Sequence, residues 1–229
     1  MGQLTFKHLR TSIFLTYKFI FYEYPLANLN RGWENPYQIY SELYRNEDAH
    51  LLEEFLEGMD IDERFTYPLT MEEVDQRVKD GHIFYVAKKS GKIIGYCWYL
   101  VNKVKIPEFD ATLYLNSDDV CSANEYIQPE FRGKGIRNYM RAYEYNEVKQ
   151  KGYKRSVTYV SENNKASLRM HQKWGSIQIG VVKRINILTL TYHNTNLTTN
   201  KIVFHSGSFL LWKRLYHFIK NYESKGGPR

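Results

Sequence analysis

The order of apolar and polar residues along the chain predicts alternating helices and strands. In the helical stretch that opens at Asp48, Leu51, Leu52, Phe55 and Leu56 share one face. Further helices are predicted over 70–79, 136–151, 164–174 and 208–222, and strands over 12–24, 37–44, 82–88, 93–101, 120–127, 156–160, 177–182 and 185–192. This order predicts a mixed α/β domain around one sheet.

Local signals mark where several elements begin and end. Thr70 followed by Glu73 is a capping-box pattern, which predicts a helix start. Ser90 and Gly91 between two runs of β-formers predict a β-hairpin. Gly175 stands where a helix would end.

Length and charge suggest a division of the 229 residues. We predict an N-terminal β-rich extension over 1–36, a main domain over 37–192, and a basic amphipathic helical extension over 193–229. The net charge is +7, and residues 183–229 hold 8 Lys or Arg against 1 Asp or Glu. A basic tail can contact an anionic membrane surface or nucleic acid, although a solvated basic face is the commoner meaning and nucleic acid is the weaker alternative.

The cysteines and the first apolar run indicate a compartment. Cys97 and Cys121 cannot form a disulfide framework and suit reducing conditions. The run Ile13–Tyr24 is too short to span a bilayer. We therefore expect a cytoplasmic protein.

The sequence also bears on metals and oligomers. No histidine stands at a metal-ligand spacing, so no metal is expected. The apolar N-terminal run and the C-terminal helix each offer a surface for a homodimer.

One segment carries the clearest chemistry: a strand, a proline, a Gly-rich turn and a helix over residues 126–136, YIQPEFRGKGI. Glycines at such a turn let backbone N–H groups converge, and the first helical turn leaves N–H donors unpaired. The spacing matches neither a P-loop nor the dinucleotide fingerprint. The turn nevertheless predicts a pyrophosphate site.

A second segment, Asn164 to Gly175, follows one strand later on a short predicted helix. With both segments in this order, residues 37–192 resemble the GNAT superfamily of acyl-CoA-dependent N-acetyltransferases. The family's first motif falls on Ile127, Pro129 and 132–137. Its second motif falls on Asn164, Ser167, His171, Lys173 and Gly175.

The resemblance implies a GNAT-like acyl-CoA N-acyltransferase fold with acetyl-CoA, or another acyl-CoA, as cosubstrate. It implies that the pantetheine arm pairs with the backbone of Ile127 and Gln128, where the family splays a strand, and that Asn164 contacts the arm. It places the pyrophosphate on the loop and helix start: Arg132, Gly133, Lys134, Gly135, Ile136 and Arg137.

The chain departs from the family at two positions of interest. Arg137 replaces the last Gly or Ala of the first motif, where its Cβ would crowd a phosphate or its guanidinium would add a contact. His171 replaces a Tyr that often lies near the sulfur. We expect His171 either to protonate the leaving thiolate or only to pack at the sheet–helix interface.

Strand alternation supplies the candidate base. It places on one face Asp119, Cys121, Ala123, Glu125 and Ile127. Cys121 stands where the family often has Glu, but an inert buried thiol is its commoner role. Glu125 is the better candidate base, directly or through water. The alternatives are a carboxylate paired with a nearby Arg or Lys, and proton loss to solvent.

The expected function is acetyl transfer from acetyl-CoA to a primary amine of a small molecule, sugar or peptide, by direct attack in a ternary complex. The alternative is a catalytically weak GNAT-like module that binds CoA or another anion and acts through protein or membrane-surface contacts.

Overall fold

The computed structural model describes residues 14–29, 37–59, 69–187 and 190–205. The strands are β1 (Phe14–Pro25), β2 (Tyr40–Leu43), β3 (Ile83–Lys89), β4 (Lys92–Leu100), β5 (Lys103–Ile106), β6 (Ala111–Tyr114), β7 (Asp119–Ile127), β8 (Arg155–Ser161), β9 (Ile177–Ile187), β10 (Leu190–Thr195) and β11 (Lys201–Phe204). The α-helices are α1 (Ala49–Glu57), α2 (Met71–Lys79), α3 (Ile136–Gln150) and α4 (Lys165–Trp174). This mixture of helices and strands confirms the predicted fold class.

The chain divides into two compact units. The larger unit holds residues 23–104 and 115–158, and the smaller unit holds the residues up to 22, 105–114 and those from 159 onward. This division does not follow the predicted boundaries at residues 36 and 192, which stay a prediction.

The larger unit contains a mixed sheet with the strand order β8–β7–β4–β3–β2. β2, β3, β4 and β7 pair antiparallel in turn, whereas β7 and β8 are parallel. On one face, Phe55 of α1 packs edge-on against Tyr96 and Tyr126. Cys97 follows Tyr96 on β4 and contacts Arg137 of α3, so α1 and α3 cover opposite faces of the sheet.

Helix starts follow the local signals in the sequence. Thr70 is the N-cap of α2 and its hydroxyl accepts a hydrogen bond from the N–H of Glu73 at 3.2 Å, which confirms the predicted cap. The hairpin of β3 and β4 turns at Ser90 and Gly91, as predicted.

In the smaller unit the strand order is β10–β9–β1–β8, and a second sheet has the order β11–β6–β5. Phe19 of β1 meets Phe109 edge-on, with ring centroids 4.9 Å apart. Gly175 ends α4 in the left-handed conformation, as its position in the sequence predicts.

Several sequence predictions need correction or lie outside the described residues. β9 runs unbroken to Ile187 and pairs with β10 from Leu190 onward, so the predicted break at 183–184 is wrong. β5, β6 and β11 are four-residue strands that the sequence pattern does not signal. The helix predicted over 208–222 lies outside the described residues. Among the described helices, none is long and apolar enough to cross a bilayer.

Gly95 of β4 lies where the backbone of β7 comes close. A Cβ at this position would lie 2.6 Å from the carbonyl oxygen of Tyr126 and 3.3 Å from the Cα of Ile127. We predict that Gly95→Ala lowers the free energy of unfolding by about 1–3 kcal/mol, because backbone must move to relieve the clash. Urea unfolding measures this change.

The matched control is Gly58→Ala at the end of α1, where the new Cβ would meet its nearest neighbour at an ordinary 3.5 Å. Equal unfolding midpoints for the two variants would contradict the predicted clash.

Candidate active site

The Gly-rich turn joins the end of β7 to the start of α3. A short 3-10 turn over Pro129–Phe131 precedes it. Gly133 and Gly135 each have a φ of +75°, a conformation that side chains disfavour and glycine adopts readily. Gly135 is the N-cap of α3, so its conformation sets the direction in which the helix leaves the strand.

The backbone donors of this turn are available to a ligand. Within the described structure, no residue accepts a hydrogen bond from the N–H groups of residues 133–137, and no side chain caps the helix. The first such bonds run from Asn138 and Tyr139 back to the carbonyl of Gly135. Free donors and the positive end of the helix dipole together favour an anion.

Strand β7 separates from β8 well before it ends. The parallel ladder covers only three pairs, from Asp119 opposite Arg155 to Cys121 opposite Val157. β7 then continues to Ile127, paired only with β4 in the described ladders. The described β7–β8 ladder therefore ends six residues before Ile127, the position at which the family resemblance implies a splay.

Ile127 and Gln128 use their backbones differently. The N–H of Gln128 donates to the carbonyl of Ile94 at 2.9 Å, and its carbonyl accepts from the N–H of Phe131 at 3.0 Å. The N–H is thus engaged and the carbonyl keeps one lone pair, and pairing of the Gln128 backbone with a cofactor stays a prediction. Because hydrogen-bond direction alternates along an antiparallel pair, the backbone groups of Ile127 point away from β4, toward the open edge.

The three basic side chains of the turn take separate paths. Arg132 folds back, so that its Nε donates to the carbonyl of Ile127 at 2.8 Å. Lys134 is exposed, with its ammonium 5.9 Å from the ring centre of Phe131. Arg137 turns inward, under α3. Of the three, Lys134 is the one best placed for a ligand at the surface of the turn.

Arg137 belongs to a buried ionic cluster between α3 and the sheet, which we call the α3 ion cluster: Glu125, Arg137, Arg141 and Glu144. Arg137 donates to Glu125 from Nε at 2.7 Å and to Glu144 from Nη1 at 2.9 Å. Arg141 donates to Glu125 at 3.1 Å. The guanidinium of Arg137 is therefore committed inside the protein, which corrects the expectation that this side chain contacts the pyrophosphate. The backbone N–H of Arg137 remains at the turn.

The cluster is hydrogen-bonded to the strands below it. Glu144, which has no exposed surface, also accepts hydrogen bonds from Ser41 of β2 at 3.0 Å and from Tyr99 of β4 at 2.9 Å. Burial disfavours the charge of Arg137, but the carboxylates of Glu125 and Glu144 outweigh it and raise the pKa of the guanidinium well above its ordinary value. Burial and the Glu144 carboxylate likewise raise the pKa of Tyr99.

A β-bulge changes which face of the sheet Glu125 occupies. The β4–β7 register shifts between Tyr96 and Trp98, and Asn124 has a φ of +45°. As a result Ser122 and Glu125, three residues apart, both approach the Cys97 sulfur, at 3.9 and 4.0 Å.

The predicted alternation is therefore wrong, because the bulge separates Glu125 and Ile127 from Asp119, Cys121 and Ala123. Ala123 lies opposite Trp98, on the face that α1 covers. Glu125 faces α3, where its carboxylate is paired with two arginines, as in the alternative given above. A base role for Glu125 stays a prediction.

His171 and Asn164 lie in the smaller unit, at the two ends of α4. His171 is buried, stacks on Tyr22 with ring centroids 5.1 Å apart, and has its Nδ1 3.2 Å from the hydroxyl of Ser176. These contacts are those of the packing alternative, and a role as acid stays a prediction. Asn164 is the N-cap of α4, where its side-chain oxygen accepts from the N–H of Ser167 at 3.1 Å.

Two residues of the α3 ion cluster were absent from the candidate list. Arg141 and Glu144 follow Arg137 at spacings of four and seven residues, so all three lie along one stripe of the helix. That stripe also carries apolar Met140 and Val148, both fully buried. Charged residues on an otherwise apolar stripe are the signal that would have indicated a buried ionic cluster.

A cavity of about 500 Å³ lies in the larger unit, beside the end of β7. α1 contributes Phe55 and Glu54 to its wall, and the β3–β4 hairpin contributes Lys89. Gln128 and Phe131 close it on the side of the turn. The cavity thus offers apolar, acidic and basic groups next to the predicted pyrophosphate site.

Comparison with known families decides how this geometry is to be understood. The model of the acetyltransferase (GNAT) family matches residues 33–175, well over half of the chain. The chain belongs to this family. The match spans the Gly-rich turn and all of α4, the two segments on which the resemblance is based. A comparison with curated proteins finds no significant match.

Solved structures agree with the GNAT fold. A GCN5-related N-acetyltransferase from Sphaerobacter thermophilus matches with a TM-score of 0.54 at 14% identity, over 84% of this chain and 56% of that protein. An acetyltransferase from the GNAT family of Novosphingobium aromaticivorans matches with a TM-score of 0.51 at 9% identity, over 81% of this chain and 66% of that one.

A functionally unknown protein from Staphylococcus epidermidis matches with a TM-score of 0.51 at 12% identity, over 83% of this chain and 69% of that one. At these identities the likeness concerns the fold alone. This GNAT chain also spans less than two thirds of the length of the first two of these three proteins.

The α3 ion cluster makes this GNAT domain sensitive to loss of one buried charge. We predict that Glu144→Gln lowers the free energy of unfolding by about 3 kcal/mol, because Arg137 loses the fully buried one of its two carboxylates. Chemical denaturation measures the change.

The control is Glu47→Gln, which breaks an exposed pair with Arg45 and should have little effect. If Glu144→Gln lowered the free energy of unfolding as little as this control, the buried cluster would not contribute to stability.

Proposed function

We propose that the protein is an acyl-CoA-dependent N-acetyltransferase that acts on a primary amine of a small molecule, sugar or peptide. The observation that carries the proposal is the junction of β7 and α3. There, an unpaired strand edge at Ile127 leads directly into a turn whose N–H groups from 133 to 137 have no acceptor among the described residues.

Each part of this junction suits one part of the cosubstrate. The converging amides and the helix N-terminus suit a diphosphate, and the exposed ammonium of Lys134 adds positive charge. The carbonyl of Ile127, which accepts one hydrogen bond from Arg132, keeps a second lone pair for an amide N–H of the pantetheine arm. The N–H of Ile127 points to the open edge, where it can donate to the oxygen of the thioester carbonyl.

The reaction needs a neutral amine that attacks this carbonyl. A C–N bond forms, the C–S bond breaks, and the amine proton leaves to solvent or to a protein group while the thiolate of CoA departs. The strand N–H stabilises the charge that develops on the carbonyl oxygen. The cavity between α1 and the end of β7 is the space that we assign to the acceptor, since Glu54 in its wall suits a cationic amine.

A second candidate function rests on one specific observation. Glu125 is ion-paired and His171 is buried against Tyr22, so neither is an exposed acid or base in the described structure. A GNAT domain of this kind can bind acyl-CoA and act through contacts with other molecules instead of by turnover.

We predict that the purified protein releases free thiol from acetyl-CoA when a mixed panel of primary amines is added. The measurement is thiol release, with mass spectrometry of the amines to show the added acetyl group. A panel of tertiary amines, which cannot form an amide, is the control. CoA binding without acetylated product would favour the binding module, and absence of CoA binding would contradict both functions.

We predict that Lys134→Glu weakens CoA binding about tenfold or more, because it replaces an attractive charge at the diphosphate with a repulsive one. Calorimetry with free CoA measures this loss. Lys149→Glu, at the opposite end of α3, makes the same change of net charge and should leave the affinity nearly unchanged. Equal affinities for the Lys134 variant and the wild type would argue against the turn as the diphosphate site.

A further inference from the structure

We propose that Arg137 is a positioning residue, which holds the first turn of α3 against the end of β7 so that the free amides of the Gly-rich turn face a diphosphate. The inference rests on the proposed function for the identity of the ligand. It goes further by assigning the CoA affinity partly to a buried ion pair that does not touch CoA.

The pair of Arg137 and Glu125 closes the loop that contains the whole cofactor turn. Glu125 lies on β7, two residues before Ile127, and Arg137 lies two residues after the N-cap Gly135. The Nε–carboxylate contact of 2.7 Å therefore joins the two ends of the turn across 12 residues of chain. A link of this kind removes alternative loop conformations before any ligand arrives.

Arg137 also connects the turn to the interior of the helix. Its Nη1 donates to Glu144 two helical turns further on, and Glu144 is held in place by Ser41 and Tyr99. The guanidinium thus has fixed partners on the strand and on the helix, while the backbone N–H of the same residue belongs to the turn. A shift of the side chain must move a donor of the diphosphate site.

The backbone around the turn has freedom that this link reduces. Within the described ladders, the last residues of β7 pair with β4 and not with β8. Gly133 and Gly135 give the turn two of its most permissive backbone positions. The ion pair offsets this freedom. Its arginine, Arg137, stands at the position where the family has Gly or Ala.

A second buried ion pair in the same unit supplies a matched control. Arg155 of β8 donates from Nε to Asp119 at 2.8 Å, at the beginning of β7, and also contacts Glu23. Its partner Asp119 lies on β7, as Glu125 does, but at the opposite end of β7 from the turn.

The experiment compares charge-balanced double variants. Arg137→Met with Glu125→Gln removes one charge of each sign, so the domain keeps its net charge, while Arg141 and Glu144 each lose one ion-pair partner. Arg155→Met with Asp119→Asn is the control. Free CoA is the probe in calorimetry, unfolding midpoints report stability, and amide exchange of Asn138 and Tyr139 reports order in the first turn of α3.

We expect the Arg137/Glu125 double variant to bind CoA about tenfold more weakly and to exchange the amides of Asn138 and Tyr139 faster than the control at matched stability. Where an acceptor amine is known, its KM should change less than twofold. The single variant Arg137→Lys, with Glu125 intact, keeps the charge but not the two-pronged geometry. It should bind CoA more tightly than the double variant and more weakly than the wild type.

Unchanged amide exchange in the Arg137/Glu125 variant would overturn the inference, as would an equal loss of CoA affinity in the control. Faster exchange in a protein whose wild type binds no CoA would support the positioning role and refute the proposed function. The two claims therefore fail separately.

Discussion

The buried attraction between the Arg137 guanidinium and the carboxylates of Glu125 and Glu144 is the contact on which the arrangement of the site depends. It ties the start of α3 to the last stretch of β7. Charges removed from water are tolerated only when every partner is present, and here the polar groups of Ser41 and Tyr99 complete the set around Glu144. The conformation of the Gly-rich turn follows from where these two elements are held.

The site itself consists largely of backbone. Gly133 and Gly135 supply left-handed positions, the first turn of α3 supplies donors, and the early end of the β7–β8 ladder supplies a free strand edge. These features need glycine, a bulge and a helix start rather than a particular reactive side chain. That is why GNAT membership is evident in the chain while side chains that would serve as an acid and a base are not.

Sequence reasoning reached the parts of the fold that have local causes. The cap at Thr70, the hairpin at Ser90 and Gly91, and the helix end at Gly175 each depend on residues close in the chain. The Gly-rich turn was predicted for the same reason, since its own glycines supply the left-handed backbone positions that it needs.

The parts that sequence reasoning missed depend on residues far apart. The bulge at Asn124 inverts the alternation on which the face of Glu125 was predicted, and a strand pattern of period two cannot reveal an inserted residue. The inward path of Arg137 depends on Glu125 and Glu144. Glu125 lies 12 residues away on β7, and the helical spacing alone did not single out Glu144. The hairpin of β9 and β10 was placed too early because Lys183 and Arg184 interrupt the apolar pattern without ending the strand.

The central claim is that the amides of the Gly-rich turn bind the diphosphate of an acyl-CoA. A crystal structure of the protein with CoA tests it most directly. The account predicts diphosphate oxygens within about 3 Å of the backbone nitrogens of residues 133–137, with the pantetheine arm paired to Ile127. A diphosphate bound elsewhere, with these amides facing solvent, would contradict it.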